Sequence, residues 1–182
     1  MEGFEWLNPP EAFTVEGNSV KITTKEKTDF WQRTHYGFRN DNAHFFYKRI
    51  PGDFILTAEC HFESNTLFDQ CGLCARINED NWIKTSTEYH DAETSDLGSV
   101  ITNHGYSDWA KQEISSSQRV IYYKMQRKGQ DFFIEASFDG KVYKEIRVGH
   151  IFDATGEIMA GVYACSPQRG GFQCEIKNIQ FN

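Results

Sequence analysis

Apolar residues in this chain recur at every second position, in short runs separated by turn residues. That spacing is the strand period, because successive side chains of an extended chain point to opposite faces. Phe132, Ile134, Ala136 and Phe138 share one face of such a run, with Phe133, Glu135 and Ser137 on the other. In the run 71–77, Leu73, Ala75 and Ile77 point inward, while Gly72, Cys74 and Arg76 face away. Strands are read at 54–62, 71–77, 82–89, 99–102, 120–126, 132–138, 142–148, 157–164 and 174–181. Asp139-Gly140, between apolar runs, is the strongest short hairpin signal. Capped helical periodicity is weak everywhere, and only 108–114 reads as a helical turn or two. Many short strands between turn signals predict an all-β, two-sheet antiparallel β-sandwich.

Composition supports that reading. The 182 residues suit one domain spanning 1–182 and are enough for a core without staples. Only 39% are hydrophobic, yet 15% are aromatic, so large rings carry the apolar area. The strand alternation divides the rings into two populations: Phe132, Phe138, Tyr89 and most other Phe fill the core, and Trp82, Trp109, Tyr163 and Trp31 mark an expected ligand site.

Nineteen basic and 26 acidic residues give a net charge of -7, which repels phosphate backbones. The one dense basic stretch, Lys124-Met125-Gln126-Arg127-Lys128, divides its charges between two strand faces. No nucleic-acid partner is expected. No apolar run is long enough to span a membrane, so no membrane partner is expected either. The N-terminus has no basic and apolar leader pattern. Five cysteines, an odd number, fit reduced thiols, so a cytoplasmic location is expected.

Three constellations could carry function. In the run 82–90, Ile83, Thr85, Thr87 and Tyr89 share a face; Trp82, Lys84, Ser86, Glu88 and His90 share the other. That second face is too polar for a core, and Trp82 is expected to be exposed on it. Arg76 on the preceding strand faces the same side. Sugars suit such a surface, because their C–H faces stack on rings while hydroxyls meet charged groups. The second constellation is the loop Asn103-His104-Gly105-Tyr106-Ser107-Asp108-Trp109, with Asp108 and Trp109 favoured. The third, Asp29-Phe30-Trp31 with His35-Tyr36-Gly37-Phe38, could wall a pocket with Trp31 inside. Each has a plainer reading: solvated charges on an outer face, or aromatics anchoring loops.

Other chemistry is poorly supported. Cys71-Gly72-Leu73-Cys74 lies in a strand, which sends its two thiols to opposite faces, and no second pair completes a zinc site. Structural thiols are expected. No metal spacing or cofactor motif is present, so neither is expected. Glu88, Asp91 and Glu93 do not form the same-face acid pair of a glycosidase. Glu88 with Asp108 across a groove is the remaining weak catalytic candidate.

The stretch Arg127-Lys128-Gly129, Phe133, Ser137-Phe138-Asp139-Gly140 and Tyr143-Lys144-Glu145-Ile146 resembles a pattern of concanavalin-A-like (laminin-G-like) jelly rolls. Thr28-Asp29-Phe30-Trp31, Tyr36-Gly37-Phe38, Asn81-Trp82-Ile83-Lys84, Gly98 to Asn103, Ser107-Asp108-Trp109 and Gly161 to Pro167 resemble a bacterial and fungal family of unknown function with this fold. Some of its fungal members are described as regulators of enolase. The resemblance covers Trp6 to Phe181. It implies two curved sheets with ligands bound on the concave face or its rim.

The expectation is therefore a polar, carbohydrate-like ligand, an oligosaccharide or sugar, on a concave sheet face. Trp82 and Trp109 would stack; Arg76, Lys84, Glu88 and Asp108 would hydrogen-bond; Tyr163 would line the floor. Two alternatives stand beside it. One is a glycosidase or lyase acting on oligosaccharides through Glu88 and Asp108. The other is a protein-interaction or regulatory domain, as the enolase description suggests.

Overall fold

A strand with one apolar face must bury that face, and two sheets facing each other satisfy every strand at once. The computed structural model describes residues 1–182 and contains sixteen strands. In chain order they are β1 (Glu5–Leu7), β2 (Ala12–Glu16), β3 (Ser19–Thr23), β4 (Phe30–Gln32), β5 (Arg39–Asp41), β6 (His44–Ile50), β7 (Phe54–Phe62) and β8 (Gln70–Asn78). Then follow β9 (Asn81–Tyr89), β10 (Thr94–Asn103), β11 (Tyr106–Ser115), β12 (Val120–Lys128), β13 (Asp131–Ser137), β14 (Lys144–His150), β15 (Ile158–Cys165) and β16 (Gln173–Phe181). One seven-stranded sheet runs β1-β6-β15-β8-β9-β10-β11, and the second runs β14-β13-β12-β7-β16-β3-β2. All pairings between named strands are antiparallel. The fold is an all-β jelly-roll sandwich. No helix is long and apolar enough to cross a membrane.

The inward faces form a core of 30 buried residues. Cys71, Leu73 and Ala75 of β8 meet Leu56, Ala58 and Cys60 of β7 and Ile121, Tyr123 and Met125 of β12 across the gap. Phe132, Ile134 and Ala136 pack as the alternation predicts. Phe138 does not; it is 50% exposed. β13 ends at Ser137, whose hydroxyl accepts from the Asp139 and Gly140 amides, and that turn swings Phe138 outward. The Arg127-x-Gly129 turn has a similar local reason. Arg127 is 3% exposed, and its guanidinium donates to the carbonyls of Gly52, Gly129, Ala154 and Gly156.

Two further expectations are corrected. The segment 103–109 is not an open loop, and 108–114 is not helical. His104 and Gly105 both have positive φ (50° and 76°) and close a tight hairpin between β10 and β11. β11 is an edge strand, and its exposed Lys111, Gln112 and Glu113 hide the period-two signal while discouraging edge pairing. β6 carries no alternation because both of its faces are covered. Phe46 faces the sandwich core, and Phe45 and Tyr47 face a second one.

That second core has nine buried residues, among them Phe30, Phe45, Cys74, Trp82, Val100 and Tyr163. It exists because a two-stranded hairpin, β4–β5, lies over the outer face of the first sheet.

Candidate functional site

The hairpin covers only part of the sheet face, and beside the second core it leaves a cavity of about 370 Å³. Gln70 (β8), Lys84 and Glu88 (β9), Val100 (β10) and Trp109 (β11) come from the sheet. Asp29, Trp31, Tyr36, Phe38 and Asn40 come from the hairpin and its approaches. Phe68, Pro167 and Gln168 complete the lining. The sheet residues converge by register: Glu88 pairs with Gln70 and with Asp96, and Val100 pairs with both Lys84 and Trp109. Trp109 can lie flat on the sheet because residue 98 is glycine. A Cβ there would come within 2.6 Å of the Trp109 ring and 2.5 Å of the Ala110 carbonyl.

The polar groups form a network around Gln70. Lys84 Nζ, on a side chain 4% exposed, reaches Gln70 Oε1 at 3.0 Å and Asp29 Oδ1 at 3.1 Å. Tyr163 donates its hydroxyl to the same Gln70 Oε1 at 3.0 Å. Gln70 in turn donates its amide to Glu88 Oε2 at 2.9 Å. Burial opposes the charge on Lys84, but Asp29 and Glu88 outweigh it and hold the ammonium above its ordinary range. Glu88 goes the other way. Burial pushes its carboxyl up to about 7, Lys84 pulls it down, and Asp29 and Asp96 push it further up. A buried carboxyl that changes charge near neutral pH, in a cavity, marks a candidate functional site.

Glu88, His90 and Asp96 bring one possible ligand atom each within 4.8 Å of one another. However, Lys111 Nζ sits 2.5 Å from Asp96 Oδ2, so this cluster already carries its own cation.

Among the residues singled out in the sequence, Lys84, Glu88 and Trp109 line the cavity, and so do Asp29, Trp31, Tyr36 and Phe38 of the third constellation. Four others do not. Trp82 is fully buried in the second core, 5.8 Å from the Phe30 ring, with Nε1 donating to Glu79 O at 3.1 Å. It lies on the face read from the sequence, but the hairpin covers it, so it cannot stack on a ligand. Arg76 makes a two-pronged ion pair with Asp41 of β5, at 2.6 and 2.8 Å, and lies over Phe30. It clamps the hairpin down. Tyr163 is fully buried and supports Gln70 from below.

Asp108 is separated from the cavity altogether. It neighbours Trp109 along β11 and so points to the opposite face, where it pairs with Arg147 of β14 at 2.9 Å. Its side chain is 71% exposed. The Glu88–Asp108 pair is therefore overturned by strand parity. Gln70, Asn40, Phe68 and Gln168 were missed. Gln70 was legible: it stands two residues before Gly72, on the face already assigned to Cys74 and Arg76. The others sit in segments where alternation says nothing.

All five cysteines are buried and unpaired. Cys71 lies in the sandwich core and Cys74 in the second core, on opposite faces of β8. Burial pushes the Cys74 thiol up to about 12 and the Cys71 and Cys165 thiols well up, far from a reactive thiolate.

Known proteins share this fold. The chain is 32% identical over 168 residues to "Regulation of enolase protein 1" of Saccharomyces cerevisiae, covering 92% of this chain and 83% of that protein. A crystal structure of a functionally unknown protein from Saccharomyces cerevisiae superposes with a TM-score of 0.92 at 29% identity, covering 99% of this chain and 96% of that one. A GH43 protein from Bacillus licheniformis superposes with a TM-score of 0.70 at 11% identity, over 98% of this chain and 36% of that one, which shows the fold alone. Residues 6–182 match the model of a family described as "Protein of unknown function (DUF1349)", and the chain belongs to that family.

Proposed function

We propose that the protein binds a small, carbohydrate-like polar ligand in the cavity between its first sheet and the β4–β5 hairpin. One observation carries the reading: aromatic walls and a polar, hydrogen-bonding base meet in the same cavity. Trp31, Tyr36, Phe38, Phe68 and Trp109 offer faces for sugar C–H groups. Lys84, Glu88, Gln70 and Asn40 offer donors and acceptors for hydroxyls. A volume of about 370 Å³ is at the small end of ligand cavities and suits roughly one or two sugar rings. The buried, unpaired thiols support work in a reducing compartment such as the cytoplasm.

A glycan array followed by calorimetric titration of its hits tests this. Trp109→Ala should weaken binding about tenfold or more, a loss of roughly 1.4 kcal/mol. Equal binding by both proteins, or no sugar bound by the wild type, would remove the reading.

The yeast relative's name supports a second reading, a regulatory protein-binding role. Tyr36 and Phe38 are 63% and 45% exposed and stack at 5.5 Å on the cavity rim, where a partner could cover them. Wild type that captures a stoichiometric partner, lost in Tyr36→Ser, would favour this over sugar binding.

A further inference from the structure

The charges around the cavity do not cancel. Lys84 is paired by Asp29, and Asp96 is paired by Lys111. Glu88 is left over. Its Oε2 accepts a neutral amide, from Gln70. Its Oε1 lies 3.7 Å from His90 Nε2, a nitrogen that is closer to Asp96, at 2.8 Å. The lining holds no arginine and no lysine except Lys84. The cavity thus presents one carboxylate without a cation of its own, in a space walled by Trp31, Phe68 and Trp109.

A protonated amine is the group such a setting favours. Its charge pairs with the carboxylate, and aromatic faces attract a cation that has lost its water. A uronate or a sugar phosphate would meet a cavity of its own sign in a chain of net charge -7. A neutral sugar would leave the carboxylate unpaired.

Resting on the carbohydrate reading, we propose that the cavity selects amino sugars bearing a free, protonated amine, with Glu88 as the specificity-determining carboxylate that pairs the ammonium. Trp109 then contributes affinity to every sugar, and Glu88 contributes the choice among them. The carboxyl's readiness to hold a proton near neutral pH makes an arriving ammonium the natural replacement for that proton.

Calorimetric titration of the full chain at about pH 7 tests this, using glucosamine, N-acetylglucosamine, glucose and glucuronate. Wild type should bind glucosamine about tenfold tighter than N-acetylglucosamine or glucose, with glucuronate weakest. In Glu88→Gln, checked for folding by its melting temperature, that preference should fall to within about twofold. Trp109→Ala should weaken all the sugars it still binds by a similar factor and keep the order. N-acetylglucosamine or glucose binding as tightly as glucosamine overturns the amine assignment and leaves the carbohydrate reading standing. A preference that survives Glu88→Gln overturns the role of Glu88. No sugar bound by the wild type overturns both.

Discussion

Trp82 and Trp109 stand on the same sheet face and have opposite fates, which their sequence contexts do not distinguish. Trp82 is fully buried, so Trp82→Ala should cost about 3–5 kcal/mol of stability, readable as a large drop in denaturant midpoint. Trp109 lines the cavity, so its truncation should show in binding instead. Strand parity was enough to place Lys84, Glu88 and Gln70 on one face. It could not reveal that residues some 40 to 60 positions earlier cover part of that face, because a roof brought by tertiary contact leaves no local pattern. Parity would also have excluded Asp108, had 106–115 been recognised as a strand.

Glu88 makes a second prediction at this scale. Its carboxyl rises from 4.5 to about 7 on folding, so between those values the folded state holds more protons than the unfolded one. Stability therefore falls as pH rises through that window, by up to about 3 kcal/mol. Glu88→Gln does not titrate. Its melting temperature should exceed the wild type's by more at pH 8 than at pH 5; an equal gap at both would contradict the buried, proton-holding carboxyl.

At the scale of elements, the β4–β5 hairpin decides whether there is a cavity at all. It is short, three residues per strand, and cannot be stable alone. Three tethers hold it. Arg76 grips Asp41, Gln32 N–H donates to Ser107 Oγ at 2.9 Å, and Arg39 reaches Asp80 at 2.9 Å. Asp41→Ala would leave the Arg76 guanidinium buried beside Phe30 without its carboxylate, at a cost of about 2–3 kcal/mol after discounting the partial exposure of Asp41. Hydrogen exchange should then speed up across β4 and β5 while β7 and β12 stay protected; uniform acceleration would mean that the hairpin is not a separate unit. β7, β8, β9, β12, β13, β14, β15 and β16 were legible to within a few residues, whereas β10 was legible only over 99–102 and β11 reads as a helical turn. β1 to β6 were not legible at all: β1, β4 and β5 are too short to show a period, and β6 is covered on both faces.

Across the whole molecule, one jelly roll carries two cores. The sandwich core of 30 residues stabilises the fold, and the smaller core of nine anchors the hairpin against the sheet. Gly98 links that architecture to the site. Gly98→Ala would drive a methyl into the Trp109 ring and the Ala110 carbonyl, so it should weaken ligand binding as well as stability. The aromatics do divide between core and cavity, but with a membership that strand alternation did not predict. Trp82 and Tyr163 belong to the second core, while Trp31, Tyr36, Phe38, Phe68 and Trp109 wall the cavity.

The four tryptophans give the most direct test that this cavity is a ligand site. Their side-chain indole N–H signals can be resolved by NMR and assigned by single substitution. On adding a sugar that binds, the signals of Trp31 and Trp109 should shift with the binding curve, and those of Trp6, packed against Phe46, and of buried Trp82 should move far less. Shifts concentrated on Trp6, or saturable binding that leaves Trp31 and Trp109 unmoved, would place the ligand elsewhere and contradict the account.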